Sequence, residues 1–254
     1  MSGRQHGKSI FGKTANVAWV DEAAELFDGL EEPVKYLEFN TPPLALVCAM
    51  IDAGKDLPAI VNYLQGVGKR SYIGTKPIIS KQHQAQADDI YNYFSKKHTL
   101  RRIKGEWISK FMLAVDELCE NRKRINEEHL KVLVSLPRIY EQNRAVERVM
   151  KGHKSAPQPN ALTYPPMEGV VEFVEKVPYK IGKNNELHYY FSTPNNYLMR
   201  VVVKKGEYGE VAWDTLSQAG KLHIDSETTW TYNIKGYDFS VMQFSPQSTK
   251  ITII

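Results

Sequence analysis

Cysteine is nearly missing from this sequence: Cys48 and Cys119 are the only two. Each lies in an apolar stretch of helical period, with no CxxC neighbour and no histidine at metal-ligand spacing. Two reduced, buried thiols are expected rather than a disulfide or a zinc site. Such thiols point to a reducing compartment, the cytoplasm, or the host cytoplasm if the source is viral. Long apolar runs are missing too. The longest, Leu44 to Ile51, is broken by Asp52 and Gly54, far short of the roughly 18 to 20 residues that cross a bilayer. Met1-Ser-Gly-Arg-Gln-His-Gly-Lys carries charge, but no continuous apolar segment follows it, so neither a secretion signal nor a membrane partner is expected.

Local catalytic motifs are also missing. Gln65-Gly66-Val67-Gly68-Lys69-Arg70-Ser71 invites comparison with a phosphate loop. That loop needs a further glycine at position 63, where Tyr63 stands, and a preceding strand. A flexible basic turn is the better reading. There is no dinucleotide fingerprint after a strand, no HExxH and no GxSxG elbow. No Asp or Glu has lysine two residues on, so the carboxylate–lysine nuclease pattern fails. The seven histidines, His6, His83, His98, His129, His153, His188 and His223, are scattered. Glu117 and Glu120 flank Cys119 and raise its pKa, the wrong direction for a nucleophilic thiolate. No catalytic residue, metal or cofactor is nominated, and the balance leans away from an enzyme, although a triad assembled from distant residues leaves no local trace.

What the sequence does hold is ordinary globular material with unevenly placed charge. Of 254 residues, 42% are hydrophobic and 24% charged, enough for one large domain or two small ones. The net charge is only +4, but it is segregated. Asp21, Glu22, Glu25, Asp28, Glu31, Glu32 and Glu38 make the stretch 21–38 acidic. From 69 to 104 the sign reverses, with Lys69, Arg70, Lys96, Lys97, Arg101, Arg102 and Lys104 among the cations. Segregation of this kind marks a polyanion-binding face.

The hydrophobic period changes once along the chain. Residues 1–16 read as a flexible basic arm and 18–30 as a short acidic helix. Thr41-Pro42-Pro43 starts a helix that Gly54 ends, and Asp56 caps the next. Apolar residues at spacings of three and four predict helices over 82–97 and 106–124. A last helix opens at Asn126, runs to Ser135 and resumes after Pro137 towards Met150. Beyond the proline-rich stretch 152–166, read as a linker, the period falls to two: Leu187, Tyr189 and Phe191 alternate with His188 and Tyr190. Met199, Val201 and Val203 alternate with Leu198, Arg200 and Val202. A helix over 210–219 is inserted between strands. The expected fold is therefore α+β: an all-helical domain over 17–151, then an antiparallel β-rich domain over 167–254, OB-like barrel or sandwich.

The function that fits is a non-enzymatic nucleic-acid-binding accessory protein of replication, recombination or transcription, with single strands favoured. Its candidate contacts are Lys69, Arg70, Lys96, Lys97, Arg101, Arg102, Lys104, Arg122, Lys123 and Arg124, where cations meet phosphates, and Tyr190 and Arg200 on the less apolar strand faces. The alternative is a structural or assembly protein that binds other protein chains through its basic arm and acidic N-terminal helix.

Overall fold

The computed structural model describes residues 36–68, 77–104, 109–157, 167–181, 184–206, 208–227, 229–234, 236–244 and 249–254. The expected basic arm and acidic helix lie outside the described residues, as do Lys69, Arg70 and positions 105–108. The chain divides into two compact units, Met1–Tyr140 and Glu141–Ile254.

The first unit is built on helices α1 (Pro43–Asp52), α2 (Leu57–Gly68), α3 (Lys81–Ile103), α4 (Lys110–Glu120) and the first turns of α5 (Glu127–Met150). Their starts are set by local chemistry. Pro43 occupies the first turn of α1, where its missing N–H costs nothing. Asp56 Oδ1 accepts from the Ala59 amide at 2.9 Å, and Ser109 Oγ from Met112 at 3.2 Å. At α3, Ser80 Oγ accepts from the His83 amide while His83 Nδ1 accepts from the Ser80 amide, a capping box with an imidazole in place of the usual Glu. Gly54, at φ 70°, supplies the left-handed residue that closes α1.

The expected order is corrected in two places. The unit is not purely helical: β1 (Tyr36–Glu38) pairs antiparallel with β2 (Arg124–Asn126), with Leu37 facing Ile125. Nor does α5 break at Pro137. It runs unbroken through it, and Leu133, Val134, Leu136 and Ile139 on either side are all buried. Burial of four such side chains, each worth roughly 1.5–3 kcal/mol, outweighs the backbone bond that proline removes. Ala87, Ile90, Tyr91, Phe94 and His98 put one stripe of α3 into this core. Phe94 packs edge-on against Phe111 of α4 at 6.2 Å.

In the second unit, seven strands form one sheet: β3 (Met167–Ile181), β4 (Asn184–Ser192), β5 (Leu198–Lys204), β6 (Lys221–Ser226), β7 (Thr229–Asn233), β8 (Ser240–Phe244) and β9 (Thr249–Ile253). Their order is β7-β8-β5-β4-β3-β6-β9. Helix α6 (Tyr208–Gln218) lies between β5 and β6 in the chain. All neighbours are antiparallel except β5 and β8, which run parallel. The strand order ends on β7 and β9, and one sheet with a helix between its strands supports the expected α+β class. The first residues of the expected linker bind this sheet: the Ala156 amide donates to Ser240 O, and Lys154 to Asn196 O.

Both faces of the sheet are covered. Leu187, Tyr189, Phe191, Met199 and Val201 point to one side and pack with Trp213 of α6. Tyr190, Leu198 and Val241 point to the other and pack with Ala145, Val146 and Val149, from the last turns of α5. A bulge in β3 between Phe173 and Glu175 lets that long strand serve both sides: Val171 and Phe173 join the first cluster, Val174 and Val177 the second. Among the described residues, no helix is long and apolar enough to cross a membrane.

Candidate functional site

Helix α3 projects its basic residues in the last two turns because its apolar stripe occupies the opposite face. Lys96, Leu100, Ile103 and Lys104 recur at the spacing that lines up one exposed side. Leu100 and Ile103 stand 51% and 76% exposed between the two lysines. Lys97 sits a quarter-turn away, half-buried, and donates from Nζ to Tyr93 Oη at 3.1 Å. Arg101 lies against Met112 of α4, with Nη1 3.7 Å from Sδ.

The arginines are engaged with carboxylates. Arg102 bonds Asp116 Oδ2, Arg122 bonds Asp88, and Arg124 approaches Glu38 at 3.8 Å. Two of them also lie over aromatic rings: Arg122 over Tyr91 at 4.7 Å and Arg124 over Tyr36 at 4.8 Å. Lys96, Lys104 and Lys123 differ. They are exposed and make no ion pair among the described residues. Lys110, the first residue of α4, is exposed in the same way. It was missed in the sequence because it stands alone before an apolar run, outside the charge clusters.

Behind this surface the chemistry is buried. His98 Nδ1 lies 2.9 Å from Asp116 Oδ1, so one carboxylate joins a core imidazole to Arg102. Burial lowers the His98 pKa against the pull of Asp116. The Cys119 thiol is pushed up to about 11, by burial first and then by Asp116 and Glu120, while Arg122 opposes them. Of the two acidic neighbours singled out in the sequence, Glu120 contributes in the expected direction, whereas the larger acidic contribution comes from Asp116, one helical turn away. Neither Cys48 nor Cys119 is in a disulfide among the described residues. Among the described residues, no group of three His, Cys, Asp or Glu side chains could hold a metal ion.

The chain matches no family model, no curated protein and no solved structure.

Tyr190 and Arg200, expected to be exposed, are instead 1% and 5% exposed. The period-2 pattern separates two faces correctly, but the second face is roofed by α5 rather than open to water. Arg200 donates from Nε to Gln243 Oε1 at 3.1 Å and from Nη2 to the same oxygen. Its guanidinium carbon lies 3.8 Å from the centre of the Tyr232 ring. Burial raises the Tyr190 pKa and the Arg200 guanidinium pulls it back. Next to Tyr190, His188 stacks on Tyr179 with ring centres 4.5 Å apart and reaches Glu186 at 3.1 Å. Gln243 and Tyr232 were not singled out from the sequence. Their place beside Arg200 depends on the parallel β5–β8 pairing, which no local pattern announces.

Proposed function

We propose that the chain is a non-enzymatic nucleic-acid-binding accessory protein of replication, recombination or transcription, acting in the cytoplasm. It contacts single-stranded phosphates through the exposed lysines of its first unit. The observation that carries the reading is the contrast between the cations: Arg102, Arg122 and Arg124 are held by carboxylates, whereas Lys96, Lys104 and Lys123 stand exposed and make no ion pair among the described residues. Free ammonium groups release counterions when they meet phosphates, which makes binding steeply salt-dependent. Lys96 and Lys104 are eight residues apart on α3, or about 12 Å along the helix axis, a span suited to phosphates one or two nucleotides apart. Arg101 and Lys97 support the face from the next stripe of the helix. Lys69 and Arg70 belong to the same reading as residues outside the described segments.

A second reading rests on Leu100 and Ile103. Large aliphatic side chains exposed between lysines suit an acidic protein partner better than a phosphate backbone, and they favour the assembly-protein alternative. Titration of a fluorescent single-stranded oligonucleotide across a salt series separates the two. Affinity that falls steeply with salt supports nucleic-acid binding. No binding at low salt excludes it and leaves the assembly reading.

A further inference from the structure

The second unit contains a buried cation that makes no ion pair among the described residues. Arg200 is 5% exposed, and its hydrogen-bond partners are neutral: the amide oxygen of Gln243 and the Tyr190 side chain. A guanidinium has five N–H donors; Gln243 takes two of them, and Tyr190 shares a further side-chain hydrogen bond with the group. The Tyr232 ring face offsets part of the remaining charge. Glu186, the acid of this cluster, is committed to His188 Nε2 instead. Buried charges are ordinarily paired with an opposite charge, because desolvation costs more than dipoles return.

A second group in the same cluster is also left open. His188 is 1% exposed, and its Nδ1 has no hydrogen-bond partner among the described residues. With Nε2 turned to Glu186, a neutral ring donates there and leaves Nδ1 as an unused acceptor. Burial lowers the pKa of this ring, and Arg200 lowers it further. Strand alternation places His188, Tyr190 and Arg200 on one side of the sheet, with Arg200 opposite both Tyr190 and Gln243. Gln243, Tyr232 and Tyr179 are half-buried and form the margin of the cluster.

The geometry points to a small-ligand site on this face of the sheet, one that takes a protonated oxyanion of the phosphate type. Its oxygens meet the Arg200 guanidinium, the group best shaped for phosphate, and its hydroxyl donates to His188 Nδ1. The residues of this site all belong to the second unit, whereas the proposed nucleic-acid contacts belong to the first.

Isothermal titration of the full-length protein with inorganic phosphate, at ionic strength held constant with sodium chloride, tests the assignment. One saturable site is expected. Arg200→Met should weaken it by at least about tenfold, the scale of a lost charge-assisted contact, while oligonucleotide binding stays unchanged. Sulfate carries no proton at neutral pH and should bind at least about tenfold more weakly than phosphate. Absence of saturable phosphate binding in the unaltered protein overturns the proposal, and so does binding that survives Arg200→Met. Equal binding of sulfate and phosphate removes the role given to His188. If Arg200→Met does not fold, Arg200→Lys keeps the charge but loses the planar fork; undiminished phosphate affinity in that variant overturns the proposal too.

Discussion

His98 and Asp116 meet across α3 and α4, with Nδ1 2.9 Å from Oδ1 in the core of the first unit. The same carboxylate also holds Arg102 at the surface. Asp116→Ala therefore strands a buried imidazole as well as freeing a guanidinium. A loss of about 1–3 kcal/mol is expected, the cost of an unsatisfied buried polar group. Arg102→Gln touches only the exposed half of the link and should cost less than about 1 kcal/mol. Urea denaturation of the two variants checks the ranking; equal losses would place the value of the link at the surface.

Protonation should act in one direction. His98 and His188 are both held below the ordinary histidine pKa by burial. Where the unfolded chain binds more protons than the folded one, stability rises with pH. Their contribution is complete above about 6.5 and is lost as pH falls from there towards the folded values. Melting points at pH 7.5 and 5.5 should show the lower value at 5.5. The difference should shrink in His98→Gln, and a melting point that rose on acidification would count against the buried neutral ring.

The imidazole of His83 does the work of a capping carboxylate. Its Nδ1 accepts from the Ser80 amide, and its Nε2 lies 3.1 Å from Asp52 at the end of α1. Ser80→Ala and His83→Ala each remove half of the box and should cost about 1 kcal/mol. Asp52→Ala, whose loss leaves the box intact, should cost less. Thermal melts of the three variants check the order.

The thiols should be inert. With its pKa at about 11, Cys119 is almost wholly protonated at pH 8, and Cys48 is buried. Alkylation by iodoacetamide, followed by mass spectrometry, should be far slower in the folded protein than in urea. Rapid single labelling without denaturant would show that Cys119 is more open than its packing implies.

Periodic segments were legible, and long-range pairings were not. The apolar stripe of α3 and the alternation in β4 were read from the sequence because each repeats with its own element's geometry. Strands β1 and β2 span three residues each, too short to show a period. Asp88 and Arg122, 34 residues apart, meet only because α3 and α4 pack together, so the sequence shows the cation without its partner. The same limit explains Tyr190 and Arg200. Alternation places them away from Trp213, but only the packing of Val146 and Val149 shows that their own side is covered as well. Proline at 137 carried a helix-breaking signal that the buried residues around it outweigh.

The central claim is that exposed lysines with no ion pair among the described residues, rather than the paired arginines, meet a nucleic acid. It is tested most directly by replacing Lys96, Lys104 and Lys123 together with Gln and measuring single-strand affinity across a salt series. A melting curve first establishes that the variant is folded, as the exposure of these side chains leads one to expect. The account predicts weaker binding and a slope of log affinity against log salt flatter by roughly 2, since each lost phosphate contact removes about 0.7. A folded variant with the affinity and slope of the unaltered protein would contradict it.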